Sequence, residues 1–326
     1  MLSENSLQEK APEDQLPMIS VIIPAYNESE YIKRTILSLR NSHYPKDKYE
    51  IIVVDNGSSD DTYEISTVLA DKVLRLIEGN VGAVRNFGAR NSKGEILAFI
   101  DADCLIENNW LDNINELIKN NANAIFGGTC TLSDESNWIE HYWLLGDANK
   151  RQRDLVGASI ALRKALFFDL GGFSETLTSG EDTEFSVRAR SRNINIEINP
   201  LLSVVHMGNA KTTMSFFKRQ MWHSENYFLD LPASLRDPTF ILCVIASVSL
   251  AGAIIYAADR SYHSLLFLGI FFSIVLIFSI KRMYYANTLP KKLTGFLRVY
   301  WLDLIYVTAR IVGGIKSAFL AITRKN

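Results

Sequence analysis

Ile96-Leu97-Ala98-Phe99-Ile100-Asp101-Ala102-Asp103 is the stretch on which the architecture turns. Five apolar residues have the length of a buried strand. The two carboxylates that follow, one residue apart, offer oxygen ligands to a hard divalent cation at an edge a substrate can reach. Three other short apolar runs end in the same way. Residues 19–23 lead into Pro24-Ala25-Tyr26-Asn27-Glu28, residues 51–54 into Asp55-Asn56-Gly57-Ser58-Ser59-Asp60-Asp61, and residues 203–205 into His206. Open α/β sheets bind ligands at the carboxyl ends of their strands, so the four ends are expected to converge on one crevice.

Helical periodicity fills the intervals. Residues 31–40 bring Ile32, Ile36 and Leu39 to one face, and residues 110–119 do so with Leu111, Ile114, Leu117 and Ile118. Alternating strands and helices predict an α/β, Rossmann-like, mostly parallel sheet covered on both faces, extended by strands over residues 73–77 and 124–126.

A chain of 326 residues accommodates one such domain and a smaller appendage. The net charge of -2 lacks the basic excess of a nucleic-acid binder, so no nucleic-acid partner is expected. Cys104, Cys130 and Cys243 show no metal spacing, and three cysteines cannot complete a disulfide framework, which favours a reducing compartment. Residues 1–17 are polar and lack the apolar core of a signal peptide; they are expected to be disordered, with the catalytic domain over 18–235.

Composition changes after Pro238. Residues 240–258 and 264–280 carry no charge, and each approaches the roughly 17 to 25 residues that cross a bilayer, giving two transmembrane helices within 239–280. A helical hairpin buried in a soluble core is the alternative. Lys281, Arg282, Lys291, Lys292 and Arg298 follow with no acid among residues 281–298. The positive-inside rule puts that side, and with it the catalytic domain, in the cytoplasm of a multi-pass protein of the inner or cytoplasmic membrane. Residues 295–322 are apolar again but interrupted by Arg298, Asp303, Arg310 and Lys316. The reading for 281–326 is therefore a basic loop and an amphipathic helix at the membrane surface or packed under the preceding domain, not a third span, with an ordinary surface helix as the alternative.

Four motifs, in order, carry a resemblance: Pro24-Ala25-Tyr26-Asn27-Glu28, the acidic loop from Val54 to Thr62, Asp101-Ala102-Asp103, and Gly180-Glu181-Asp182-Thr183-Glu184-Phe185. Over roughly residues 18–230 the chain resembles the family 2 glycosyltransferases. That resemblance implies a type A glycosyltransferase fold, a nucleotide-sugar donor, a divalent metal (Mn2+ or Mg2+) and inversion at the anomeric carbon. Pro24, Ala25, Tyr26, Glu28 and Asp55 correspond to positions that hold base and ribose, and an Asp can accept a pyrimidine ring N-H. Asp103 corresponds to the metal ligand, Asp101 to its helper directly or through ribose, and His206 to the histidine that completes the site. A histidine with a purely structural role is the alternative reading of His206.

Asp182 matches the family's catalytic acid residue, which takes the acceptor's proton, with Glu181 orienting acceptor or base. Charge complementarity at a helix N-terminus would also account for both acids. Residues 79–88 predict a glycine-permitted turn into a helix that places Arg85 near the diphosphate, or else a helix packed closely on the sheet through Gly88. Gly157-Ala158-Ser159 and Gly171-Gly172-Phe173 resemble loops that border the acceptor.

Processive synthases of the family carry Gln-x-x-Arg-Trp beyond the catalytic acid. With Trp222 aligned to the tryptophan, Lys218 and Met221 stand where Gln and Arg should be. Transfer of one or a few sugars to a lipid-linked or cell-surface glycan acceptor at the cytoplasmic membrane face is the expectation, with uridine as the base. A processive synthase subunit, a nucleotidyltransferase and a non-catalytic membrane scaffold are the competing readings.

Overall fold

The computed structural model describes residues 16–144, 152–225, 227–228, 231–285 and 293–323. In chain order its strands are β1 (Ile19–Ala25), β2 (Tyr49–Asp55), β3 (Lys72–Arg75), β4 (Ile96–Ile100), β5 (Cys104–Leu105), β6 (Ile125–Gly127), β7 (Cys130–Leu132), β8 (Ser159–Arg163), β9 (Ile196–Ile198) and β10 (Val204–His206). The helices before the apolar segment are α1 (Ile32–Arg40), α2 (Thr62–Leu69), α3 (Val81–Arg90), α4 (Trp110–Asn120), α5 (Trp138–Trp143), α6 (Lys164–Asp169), α7 (Glu181–Ser191), α8 (Thr213–Trp222) and α9 (Leu231–Ser234). After them come α10 (Pro238–Ala258), α11 (His263–Tyr285) and α12 (Leu293–Thr323). The chain divides into two compact units: residues 1–130, 154–175 and 182–206 form the first, and residues 131–153, 176–181 and 207–326 the second.

The first unit is built on a seven-stranded sheet in the order β3-β2-β1-β4-β8-β6-β9. β3, β2, β1 and β4 run parallel, and β8 is antiparallel to both β4 and β6. Every residue of β2 and of β4 is buried, which is why residues 51–54 and 96–100 read as continuous apolar runs and not as alternating ones. The pleat sends successive side chains to opposite faces. Val21, Ile23, Ile51, Val53, Ala98 and Ile100 pack with Ile36 and Leu39 of α1 and Ile114 of α4. Ile22, Ile52, Val54, Leu97 and Phe99 pack instead with Val84 and Ala89 of α3 and with Phe167, Phe173 and Phe185.

Two expectations need correction here. Residues 1–15 lie outside the described residues, but residues 16 and 17 do not belong to a disordered tail: Leu16 packs on the core and the Pro17 carbonyl accepts from Tyr44 Oη at 2.8 Å. The strand ending in His206 is also not a member of the main sheet. β10 pairs antiparallel with the two-residue β5 in a second, small sheet, so three of the four expected strand ends, not four, belong to the parallel array.

In the second unit, Asp237 caps α10 by accepting from Thr239 N at 2.8 Å, and Pro238 occupies the first turn, where its missing N-H costs nothing. Three helices are long and apolar enough to cross a membrane: Pro238–Ala258, His263–Tyr284 and Leu293–Ile322. The third is the segment expected to lie along the membrane surface, and its length and composition would also allow it to span. The acid that interrupts its apolar run, Asp303, has no exposed surface; it is enclosed by Arg282, whose Nη2 lies 2.7 Å from its Oδ1, and by Ser279 Oγ at 3.0 Å from Oδ2. Arg282 is thereby spent inside the unit, and Arg298 lies over the Trp138 and Tyr142 rings at 5.8 and 5.7 Å. Lys291 and Lys292 fall outside the described residues.

Candidate active site

The chain emerging from β4 is pinned before it can turn. Thr35 Oγ1 on α1 donates to the Ala102 carbonyl at 2.7 Å, and Cys104 then enters β5. The register of that short pairing sets His206 opposite Cys104, which brings His206 Nε2 to 3.5 Å from Asp103 Oδ2. Side chains of both are about nine-tenths buried, at 10% and 11% exposure. One ligand atom from each of Asp103, Cys104 and His206 lies within 4.8 Å of the others. A carboxylate and an imidazole with a second carboxylate two residues away form an oxygen-rich donor set that fits a hard to borderline divalent cation.

Cys104 was not among the expected ligands. Its Sγ donates to Asp103 Oδ1 at 3.6 Å, and burial, then Asp103 and Asp101, push the thiol well above its ordinary pKa. As a thiol, Cys104 is a donor to the carboxylate beside it. Tyr31 also went unnoticed in the sequence. Burial raises its phenol, followed by Glu30, Glu28 and Asp103, which sets Tyr31 in the field of both Asp103 and the loop after β1.

Asp101 has a different partner. Arg85 of α3 is 2% exposed, and its Nη2 lies 2.7 Å from Asp101 Oδ1. Its guanidinium carbon is 5.5 Å from the Phe173 ring centroid. Gly157 lies directly against the guanidinium, so any Cβ at 157 would collide with it. Arg85, expected to face a diphosphate, is therefore placed first on Asp101. Gly88 of the same helix rests on Ile22 and Val54, the close helix-to-sheet packing that was the second reading of this segment.

The Gly157 amide donates to Asp182 Oδ2 at 3.0 Å, and Thr183 N donates to Oδ1 at 2.7 Å. Asp182 is half-buried at the start of α7, where Gly180 turns with φ +79. Gly157 thus touches both the Arg85 that holds Asp101 and the Asp182 carboxylate. Glu181 is buried, at 5% exposure.

The remaining expected residues lie on the loops after β1 and β2. Tyr26 is 59% exposed and Ala25 buried, with Pro24 and Glu28 half-buried. The two loops are stitched together: Asn27 N donates to Ser58 Oγ at 2.9 Å, Glu28 N to Thr62 Oγ1 at 2.7 Å, and Ser29 N to Asp60 Oδ2 at 3.1 Å. Asn27 takes φ 55, the left-handed conformation that Asn tolerates better than most residues. Burial pulls Asp60 upward, but its hydrogen bonds to Thr62 and Ser29 outweigh that and hold its carboxyl at about 2. Asp55 has no exposed surface and accepts from Gly57 N, Ser58 N and Arg75 Nε at 3.2, 3.2 and 3.0 Å. Arg75, at the end of β3 and over the Tyr63 ring at 4.3 Å, carried no recognisable signal in the sequence.

Comparison with known proteins accords with this geometry. The model of the family described as "Glycosyl transferase family 2" matches residues 20–167. Glycosyltransferase AglE of Haloferax volcanii is 34% identical over 187 residues, 53% of this chain and 62% of that protein. Probable glycosyltransferase YdaM of Bacillus subtilis is 26% identical over 241 residues, 67% of this chain and 57% of that protein. The chain therefore spans less than two thirds of the length of either relative. A mannosyltransferase of Pyrobaculum calidifontis, solved in complex with GDP-Man and Mn2+, superposes with a TM-score of 0.59 at 17% identity, covering 95% of this chain and 90% of that one. That likeness is one of fold.

Proposed function

We propose, from the match of residues 20–167 to the glycosyl transferase family 2 model, that the chain transfers a sugar from a nucleotide-sugar donor, with uridine as the favoured base, to a lipid-linked or cell-surface glycan acceptor. Transfer inverts the anomeric carbon and takes place at the cytoplasmic face of the membrane. The observation that carries this reading is the approach of His206 to Asp103, 3.5 Å apart, at the carboxyl end of a fully buried parallel strand.

Asp103 and His206 are the residues that would hold Mn2+ or Mg2+, with Asp101 beside them. The bound cation would supply neutralisation of the charge that grows on the departing nucleotide's phosphate. Arg85 offsets the charge of Asp101, so two carboxylates one residue apart do not repel each other at full strength. The exposed ring of Tyr26 offers a face for the base. Asp55, occupied by Arg75 and two loop amides, contributes by holding the loop and shares its carboxylate with a base N-H when donor is bound.

Asp182 removes the acceptor hydroxyl's proton as that oxygen attacks. Its two oxygens are oriented by the amides of Gly157 and Thr183, which leaves lone pairs in a fixed plane for the proton. The buried Glu181 orients the acceptor.

The test is direct. Purified full-length chain, a labelled nucleotide-sugar and membrane lipid extract should release nucleoside diphosphate and move label into lipid, dependent on Mn2+ or Mg2+. Release with no label in any acceptor fraction would sink the transfer reading, and movement of a nucleotidyl group to a sugar phosphate would put a nucleotidyltransferase in its place. A cellular phenotype untouched by Asp103→Ala and by Asp182→Asn would favour the scaffold.

A further inference from the structure

Within the second unit, α10, α12 and residues 227–228 line an open-sided cavity of about 180 Å³. Phe240, Val244 and Val248 form one wall and Ile311, Ile315 and Ala318 another. An apolar cavity of roughly 150 Å³ holds a benzene-sized guest, so this one takes about half a dozen methylenes. One residue in its lining is out of keeping with the rest. Arg310 donates through Nη1 to Tyr227 Oη at 3.1 Å, and its guanidinium carbon lies 5.0 and 5.8 Å from the Tyr306 and Tyr227 ring centroids. Its Nε is buried and, among the described residues, has no hydrogen-bond partner.

Neighbouring cations of the same unit are treated differently. Arg282 is paired with Asp303 and Lys316 with Glu225, whereas among the described residues Arg310 has a phenol, two rings and no carboxylate. An unneutralised guanidinium beside an apolar cavity, here one lined by the first three turns of α10, is costly unless an anion joins it. The anion that fits must carry a hydrocarbon chain. A phosphodiester supplies the charge and matches the planar fork of arginine.

We propose that this cavity binds an anionic phospholipid of the bilayer, with one acyl chain against α10 and α12 and the phosphodiester on Arg310. Tyr227, whose oxygen accepts from Arg310, has its own O-H left to donate to the phosphate. The lining favours a phospholipid over a sugar-bearing lipid. Beyond Arg310 and Tyr227 its polar side chains are Ser247 and Cys243, and the Ser247 hydroxyl is already committed to the Cys243 carbonyl at 2.7 Å. The lining therefore offers little to a sugar or a second phosphate. This site makes no demand on donor or acceptor chemistry, so it stands or falls apart from the transfer reaction.

The experiment uses the full chain, delipidated in detergent and followed by native mass spectrometry and thermal unfolding as phosphatidylglycerol or phosphatidylcholine is added. One phosphatidylglycerol should bind per chain and raise the unfolding temperature, while phosphatidylcholine should bind about tenfold more weakly. Arg310→Gln should lose that preference, and Arg310→Lys should keep most of it. Val244→Trp fills the cavity with the arginine in place and should lose the lipid at an unchanged unfolding temperature in detergent alone, which separates site loss from misfolding. Equal binding of the two lipids, or retention by Arg310→Gln, overturns the proposal. Displacement of phosphatidylglycerol by an equimolar polyprenyl phosphate overturns the choice of occupant.

Discussion

Two arginine-aspartate pairs, one in each compact unit, have the same Nη2 to Oδ1 distance of 2.7 Å and opposite characters. Around Arg85 and Asp101 the cation is enclosed, at 3% side-chain exposure, and the carboxylate keeps 31%. Around Arg282 and Asp303 the carboxylate has no exposure at all, and Ser279 together with the Trp143 carbonyl and ring uses up the rest of both groups. A pair whose carboxylate can still be reached is able to do chemistry. Asp303, sealed on both oxygens by Arg282 and Ser279, holds the helices of its unit together.

The largest effect that would sharpen this contrast belongs to the reachable acids. Asp182→Asn keeps an acceptor for the Gly157 amide but cannot take a proton, and it should lower kcat by about 10² to 10⁴ with little change in unfolding temperature. The measurement is nucleoside diphosphate release under saturating donor. A comparable loss from Asp303→Asn, with folding intact, would erase the distinction between the two regions.

Next in size is the sealed pair. Asp303→Ala leaves the Arg282 guanidinium buried without its counter-charge and should destabilise the helical unit by about 3 to 5 kcal/mol, read by thermal unfolding in detergent. Replacing both, as Arg282→Met with Asp303→Leu, should be close to neutral or even stabilising. The same double exchange at Arg85 and Asp101 should keep the fold and lose turnover. If it keeps turnover as well, Asp101 has no part in the reaction.

Which of these features the sequence could reveal depends on how local their causes are. The parallel strands were legible because burial on both faces makes residues 51–54 of β2 and all of β4 unbroken apolar runs. The acids that follow them were legible because they lie within three residues of a strand end. His206 was visible as a residue but not as a geometry: its approach to Asp103 depends on a two-residue pairing between β5 and β10, too short to leave a periodic trace. Arg75, Tyr31 and the oriented Cys104 are placed by contacts across 20 or more residues or by burial, and single-residue types announce neither. Asp303 reads as a break in an apolar helix because a charge is visible in the sequence and its partner is not: Arg282, which encloses it, lies 21 residues away.

Gly157 gives a smaller and more selective test. Gly157→Ala adds a methyl where the Arg85 guanidinium lies, so the arginine or the loop must shift, at a cost of about 1 to 3 kcal/mol. Both Asp101 and Asp182 lose their positioning, and turnover should fall further than the stability change explains. In the helical unit the counterpart is Gly252→Ala, whose methyl meets the Phe267 ring. A ring can rotate away, so only the unfolding temperature should move. Equal effects of the two variants on turnover would break the comparison from the other side.

The smallest effect is one of pH, confined to the loops of the first unit. The Asp60 carboxyl is held at about 2 in the fold against an ordinary 3.8, so its deprotonated form is favoured by folding. Its contribution is fully present above pH 3.8 and is lost as pH falls from there toward 2. Between pH 8 and pH 4 the amides of Ser29 and Thr62, which donate to Asp60 at 3.1 Å each, should keep constant hydrogen-exchange protection factors. Below pH 3.8 they should lose protection ahead of the β1 and β2 amides, because the loops separate before the sheet does. Asp60→Asn should abolish that early step and leave only the later loss shared with the strands. Loss of Ser29 protection already at pH 5, or its persistence unchanged in Asp60→Asn, would mean that some other group fastens the two loops.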